Sequence, residues 1–441
     1  MVDVRRIALR LLDAWERDDT YLNLALNSPA TAGLSREERG FLTALLYGTV
    51  ERKITLDYLI GRVAARSDLD PHTRNILRLG FYQLFFTGIP AHAAVDLTVS
   101  QGEGRGEKGF VNGVLRAALR QFKTGDGRVA FPYPDRARGL ARRLSIEYSF
   151  PAELVRRFLD LLGDEGTERL LAAFNRESPL TVAVNTLKIT RDDLAARLAG
   201  AGIETRPTAC SSVGLTLSSA PPVTEIPGFS DGLFFVQDEA AQLAAAILAP
   251  APGSTVVDVC ACPGGKSFAA AIAAGDKGTV YAFDLHESKL PLISEGAARL
   301  GLSSITVARR DGTDPDPVLA GKCDRVICDV PCSGLGVLGK KPDLRYRALD
   351  RVGELPALQA ALLASSSRYV APGGRLLYST CTLNPSENEE VVAAFLATAP
   401  SFSRVPFSVG GLDAPGGEIT LYPHLHGTDG FYYALLERNA N

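Results

Sequence analysis

Apolar side chains recur at helical spacing through the first third of the chain. Val4, Ala8, Leu11 and Trp15 stand at offsets 0, 4, 7 and 11. Leu77, Phe81, Leu84 and Phe85 stand at 0, 4, 7 and 8, and Leu115, Ala118, Leu119 and Phe122 at 0, 3, 4 and 7. Each set lines one face of a helix, and no alternating strand pattern interrupts them, so residues 1–134 read as an all-α bundle. Phe131, Pro132, Tyr133 and Pro134 then break the period. Over 135–230, helical stretches (Glu153–Leu162, Asp192–Ala199) mix with short β-branched runs (Thr181–Val184, Gly214–Leu217). That mixture predicts a small α+β segment, either separate or an extension of the C-terminal domain. Through 231–441 the rhythm becomes strand, turn, helix: strands at Thr255–Val259, Thr279–Leu285, Ile305–Ala308, Arg325–Val330 and Arg375–Ser379, with helices near Leu355–Val370 and Glu387–Ala397 among them. Short apolar runs spaced by helices predict a parallel, doubly wound α/β sheet covered on both faces.

Composition agrees with a multidomain globular protein. At about 100–200 residues per domain, 441 residues make two to four domains, and 46 % hydrophobic residues can fill their cores. The 42 Gly and 26 Pro are too few for a low-complexity chain. The longest apolar runs, such as Leu243–Ala249, fall short of the ~20 residues of a membrane helix. Asp3, Arg5, Arg6, Arg10 and Asp13 interrupt the N-terminus, which does not read as a signal peptide. A cytoplasmic protein is expected. A net charge of −3, from 47 basic and 50 acidic residues, means that any nucleic-acid role must rest on local patches. Seven cysteines without an export signal argue against a disulfide framework, and six of them lie between Cys260 and Cys381.

Ligands collect at the carboxyl ends of the strands in an open α/β sheet, and the unusual residues of this chain sit there. After the strand that ends at Asp258 come Cys260, Ala261, Cys262, Pro263, Gly264, Gly265 and Lys266, then a helix. Two glycines let the backbone approach a ligand, and the helix start favours a negative group. The turn lacks the G-x-G-x-x-G dinucleotide spacing, which disfavours a dehydrogenase, and Cys260 replaces the first glycine of a Walker loop. Asp284 ends the next strand, 20 positions beyond Gly264, where an acid commonly grips ribose hydroxyls, and Asp311 ends the one after, in reach of an adenine. For either aspartate alone a helix cap is the stronger explanation; in sequence, the three describe a site for an adenosine-containing ligand. Two cysteines, Cys332 and Cys381, occupy further strand ends, Cys332 just beyond Asp329. A cysteine is most often a small buried apolar residue, which suffices for Cys210, Cys323 and Cys328. Strand-end placement favours chemistry for Cys332 and Cys381. The cysteine spacings are not those of paired zinc ligands, and no metal is expected. Ser386 and Glu389, three apart, resemble a capping box for the last long helix.

Together these elements resemble the RNA (cytosine-5) methyltransferases that use S-adenosylmethionine. The family's C-A-A-P-G-G-K loop stands here as residues 260–266, its D-A-P-C-S-G as 329–334 and its Y-S-T-C-S as 378–382, with Lys341, Pro342 and Asp343 and the run 429–432 as further landmarks. Residues 84–93 and 111–116 resemble the NusB-like domain fused to the bacterial RsmB/Sun enzymes, which act on small-subunit ribosomal RNA. Cys262 and Val330 replace the usual alanines and Leu335 stands in a Gly-x-Gly turn, all small steric changes, and Ala183 stands where the family pattern has an arginine expected to contact RNA.

The resemblance implies a Rossmann-like methyltransferase domain (231–441) behind an all-α NusB-like domain (1–134) and a small α+β segment (135–230). It implies S-adenosylmethionine along Cys260–Lys266, with Asp284 on the ribose, Asp311 near the adenine and Asp329 between donor and base. Cytosine C5 is too poor a nucleophile to take a methyl group until a thiolate adds to C6. The resemblance gives Cys381 that task, and gives Cys332 the release of product. Lys340, Lys341, Arg345 and Arg347 are expected on phosphates beside the active site, and Arg116, Arg120 and Lys123 form an i, i+4, i+7 stripe on the front domain. A monomer acting on RNA is expected. The rivals are a cytosine-5 methyltransferase for transfer or other RNA, and a non-catalytic RNA-binding antitermination factor, to which the loop and both cysteines would be useless.

Overall fold

The computed structural model describes residues 3–18, 21–26, 28–66, 68–123, 128–347 and 352–440. Contacts divide the chain into two units: residues 1–175 with Lys341–Arg347, and residues 176–340 with 348–441.

The first unit is helical: α1 (Val4–Asp18), α2 (Leu22–Leu26), α3 (Arg36–Glu51), α4 (Lys53–Val63), α5 (Pro71–Phe86), α6 (Ala91–Val99), α7 (Gly104–Phe122), α8 (Leu140–Tyr148) and α9 (Ala152–Phe174). The apolar positions predicted to share a face do so: Val4, Ala8, Leu11 and Trp15 of α1, Leu77, Phe81 and Leu84 of α5, and Leu115, Ala118 and Phe122 of α7 are buried in one core. Local chemistry sets the helix starts. Ser35 and Glu38 close a capping box on α3, and Asp70 caps α5 with Pro71 in its first turn.

Helices α8 and α9 belong to the helical unit, where Ser149 Oγ accepts the Ile54 amide at 3.0 Å and Thr55 donates to the Ile146 carbonyl at 2.5 Å. Lys341–Arg347 joins the same unit: Tyr346 meets Trp15 edge-on at 5.9 Å, and Arg345, only 1 % exposed, lays its guanidinium 3.9 Å from the Phe150 ring centre.

The second unit opens with an antiparallel sheet of order β2-β3-β1-β4, made of β1 (Leu180–Val184), β2 (Glu204–Pro207), β3 (Gly214–Ser218) and β4 (Phe234–Val236). Helix α10 (Arg191–Gly200) packs on it. Strand β4 pairs with β1 and completes this sheet.

The large sheet comes next: β5 (Thr255–Asp258), β6 (Thr279–Asp284), β7 (Ile305–Arg309), β8 (Cys323–Asp329) and β9 (Val370–Thr380), all parallel in the order β9-β8-β5-β6-β7. Successive side chains of a strand face opposite layers. Val256 packs with Leu243, Ala270 and Ile293 of α11 (Glu239–Leu248), α12 (Gly265–Ala273) and α13 (Leu290–Leu300). Val257 packs with Leu362 and Val391 of α14 (Leu355–Ser367) and α15 (Glu389–Thr398).

The sheet is mixed rather than wholly parallel. After β10 (Phe402–Arg404), the small hairpin of β11 (Phe407–Val409) and β12 (Leu412–Ala414), β13 (Glu418–Leu421) and the short α16 (Pro423–His426), the strand β14 (Phe431–Arg438) runs antiparallel beside β9, with β10 and β13 on it. The turn-rich connection from β13 to β14 holds only that one-turn α16, too short to carry a parallel crossover.

Candidate active site

The ends of β5, β6, β8 and β9 converge, as the sheet topology requires. At the end of β5 the chain turns through Gly264, whose φ of 110° suits glycine; a Cβ there would collide with the Phe268 ring. Helix α12 begins at Gly265, so its amide end faces this cradle. Asp284, at the end of β6, accepts the Cys262 amide at 3.2 Å and the His286 amide at 3.0 Å. Each carboxylate oxygen keeps a lone pair for a ribose hydroxyl. Asp311 is exposed, its Oδ1 taking the Thr313 amide at 2.9 Å and hydroxyl at 2.7 Å, bonds that lower its pKa. A Cβ on the adjoining Gly312 would sit 3.8 Å from Cys260 Sγ, which brings that loop beside the glycine turn. The glycine cradle, Asp284 and the exposed Asp311 together fit an adenosine-containing donor with a negatively charged tail.

Next to the cradle, Lys266 Nζ meets Asp329 Oδ2 at 2.6 Å, and the Ser379 hydroxyl donates to Asp329 Oδ1 at 2.7 Å. Burial alone would lower the Lys266 pKa; the carboxylates of Asp329 and Asp258 outweigh it and hold the ammonium above its usual range. Asp258 is buried under the turn, accepts the Ser267 hydroxyl at 2.7 Å, and is pushed by burial up to about 7.

Cys332 Sγ and Cys381 Sγ lie 3.2 Å apart, both half-buried. The contact with Cys381, then burial, drives the Cys332 thiol well above the ordinary cysteine range. Beneath the pair, Glu387 is fully buried and accepts Ser333 N at 2.9 Å, Ser333 Oγ at 2.5 Å, Gln359 Nε2 at 2.9 Å and Asn384 Nδ2 at 3.0 Å. Ser333 Oγ also meets Thr382 Oγ1 at 2.7 Å, so the two cysteine turns form one block. Cys323 and Cys328 are packing groups, fully buried, and burial pushes each up to about 12. Cys260 is raised further still. Among the described residues no cluster of His, Cys, Asp or Glu is arranged to hold a metal ion, and no helix is long and apolar enough to cross a membrane.

The expected basic cluster is not a continuous phosphate-binding face. Lys340 is held between Asp238 and Asp429, 3.0 Å from Asp429 Oδ2; burial and the neighbouring Asp238 push Asp429 up to about 7. Arg345 is buried and donates to the carbonyls of Glu51 and Phe174, with its guanidinium pulled down by burial to about 10. Arg347 lies 3.7 Å over the Tyr21 ring. Lys341 is exposed, as are Arg116, Arg120 and Lys123 of α7 and its C-terminal cap. Asp258, Ser379 and Glu387 are site residues that motif reading passes over. Asp258 is readable as the strand-end acid before the glycine turn, whereas Glu387 sits in a stretch that reads as a helix cap. That cap does not form: α15 starts at Glu389, and its N-cap residue Asn388 makes no side-chain capping bond.

A Rossmann-like sheet with a glycine turn and acidic residues at its strand ends is the fold of an S-adenosylmethionine-dependent methyltransferase. Residues 245–437 match the family described as 16S rRNA methyltransferase RsmB/F, residues 2–120 the NusB family, and residues 150–224 the ferredoxin-like domain of RsmF/B-like methyltransferases. The chain is 38 % identical to the "Probable ribosomal RNA small subunit methyltransferase B" of Synechocystis sp., over 99 % of this chain and 100 % of that protein. It is 35 % identical to the Bacillus subtilis protein of the same name, over 99 % and 98 %. The crystal structure of PH0851 superposes with a TM-score of 0.79 at 26 % identity, covering 99 % of both chains. The chain belongs to the RsmB/F methyltransferase family.

Proposed function

We propose that the protein methylates cytosine at C5 in RNA, with small-subunit ribosomal RNA as substrate, through a transient bond between Cys381 and C6 of the base. The observation that carries this reading is the pair of sulfur atoms 3.2 Å apart beside the Lys266–Asp329 ion pair. The names of the Synechocystis and Bacillus relatives favour the ribosomal substrate over transfer RNA, and the thiol pair has no use in a passive binding module.

Bound S-adenosylmethionine supplies an electrophilic methyl group. The chain's residues do the rest. The glycine cradle and the α12 amides take the donor's carboxylate, Asp284 its ribose and Asp311 its adenine edge. Cys381 adds to C6, making C5 nucleophilic. Asp329, already fixed by Lys266 and Ser379, accepts from the amino group of the base, and the Lys266 ammonium beside it offsets the negative charge that develops on the ring. After C5 is methylated and loses its proton to water, the Cys381–C6 bond breaks. The protonated Cys332, in contact with the departing sulfur, stabilises the thiolate. The base must be unstacked for C6 to be reached. Arg116, Arg120, Lys123 and Lys341 are the exposed cations offered to phosphates.

Bisulfite sequencing of ribosomal RNA from cells with and without the gene tests the substrate. Cys381→Ala is expected to abolish methylation and adduct, and Cys332→Ala to trap a protein–RNA adduct visible on denaturing gels. Turnover by Cys381→Ala would refute the assignment.

A further inference from the structure

Two thiols in contact compete for one proton, and nothing in their own chemistry says which ionises. Their surroundings differ. On the Cys332 side lies Glu387, which accepts from four donors and donates to none, the pattern of an ionised carboxylate. One of those donors is the amide of Ser333, the residue after Cys332. The Tyr378 hydroxyl also faces Cys332, donating to the Glu387 carbonyl at 2.6 Å. On the Cys381 side lie the Lys266 ammonium with its partner Asp329, and the neutral Tyr433 hydroxyl, which is bonded to the Ala240 carbonyl. Lys266 is already neutralised by Asp329 at 2.6 Å, so the charge that distinguishes the two sulfurs is that of Glu387, on the Cys332 side.

We propose that Glu387 is a positioning residue that assigns the two cysteines their roles, its buried charge keeping the proton on Cys332 and leaving Cys381 as the thiolate. Its four bonds clamp both turns, while its charge selects between the sulfurs. The upward displacement of the Cys332 thiol, to which Glu387 contributes, agrees with this. The inference rests on the reading of Cys381 as nucleophile.

The test is site-resolved alkylation of the full chain by iodoacetamide across pH, read by mass spectrometry. In the unaltered protein Cys381 is expected to react at least about tenfold faster than Cys332 near neutral pH, a difference that corresponds to one pKa unit or more. In Glu387→Gln the pH midpoint of Cys332 alkylation should fall by about one unit, narrowing the ratio. Glu387→Asp, which keeps the charge, and Ser333→Ala, which loosens the clamp without touching it, should retain the original Cys332 midpoint. The proposal is overturned if Glu387→Gln leaves that midpoint in place, or if Ser333→Ala moves it equally. Should Glu387→Gln fail to fold, equal labelling of the two cysteines in the unaltered protein overturns it alone. Trapping on RNA containing 5-fluorocytidine separates this from the underlying reading: no adduct at Cys381 sinks the nucleophile, whereas an adduct with an unmoved Cys332 midpoint sinks only the role of Glu387.

Discussion

Replacing Asp258 by asparagine should change how stability depends on pH. The carboxyl is 1 % exposed, and burial pushes it up to about 7, whereas in an unfolded chain an aspartate titrates near ~3.9. Between those values the folded state holds a proton that the unfolded state has released, so stability falls as pH rises through the window and levels off once the folded carboxyl ionises. Each pH unit costs about 1.4 kcal/mol, and a window of roughly three units makes about 4 kcal/mol. The side-chain amide of the variant would accept the Ser267 hydroxyl as the carboxyl does, and it carries no titrating proton. Carboxylates of lowered pKa, among them Asp276 and Asp311, contribute the opposite slope equally to both proteins and cancel in the difference. Urea unfolding of Asp258→Asn and the unaltered protein at about pH 4, 5, 6, 7 and 8, followed by far-ultraviolet circular dichroism, gives that difference directly. The variant should gain on the parent by about 4 kcal/mol from the acid to the alkaline end. Parallel curves would show that Asp258 is not a buried, late-ionising group.

Asp284→Ala should weaken S-adenosylmethionine binding about 10–100-fold by calorimetry, the worth of hydrogen bonds to a charged acceptor; an unchanged dissociation constant would move the ribose elsewhere. Arg345→Ala removes the donors to two carbonyls and the guanidinium over Phe150, and should lower the stability of the helical unit by about 3 kcal/mol. Trp15, the only tryptophan and a neighbour of Tyr346, reports this by fluorescence during urea unfolding, and an unmoved midpoint contradicts it.

Where one period governs a stretch, it can be read from the chain. The buried stripe of α1 and the strands β5, β6, β8 and β9 emerge from spacing alone, because a helix face and a doubly covered strand each leave a repeating signature. Cys332, Cys381, Asp284 and the glycine turn are legible as strand-end residues. Strand β14 is not, since antiparallel pairing with β9 depends on residues about 55 positions apart and leaves no local mark. Arg345 misleads for a related reason. Basic residues close together in sequence suggest one charged face, yet Lys340 turns into one unit and Arg345 into the core of the other. Glu387 escapes notice because its partners Ser333 and Gln359 come from other segments of the chain, so its role exists only once the sheet has assembled.

The helical unit is discontinuous along the chain, completed by seven residues made after the entire stretch 176–340. A ribosome releasing residues 1–175 has therefore produced a body whose last core pieces, Arg345 and Tyr346, are still unwritten. No single cut frees either body whole, and a gene fusion that grafted the first 175 residues onto another enzyme would carry a wound where Arg345 belongs.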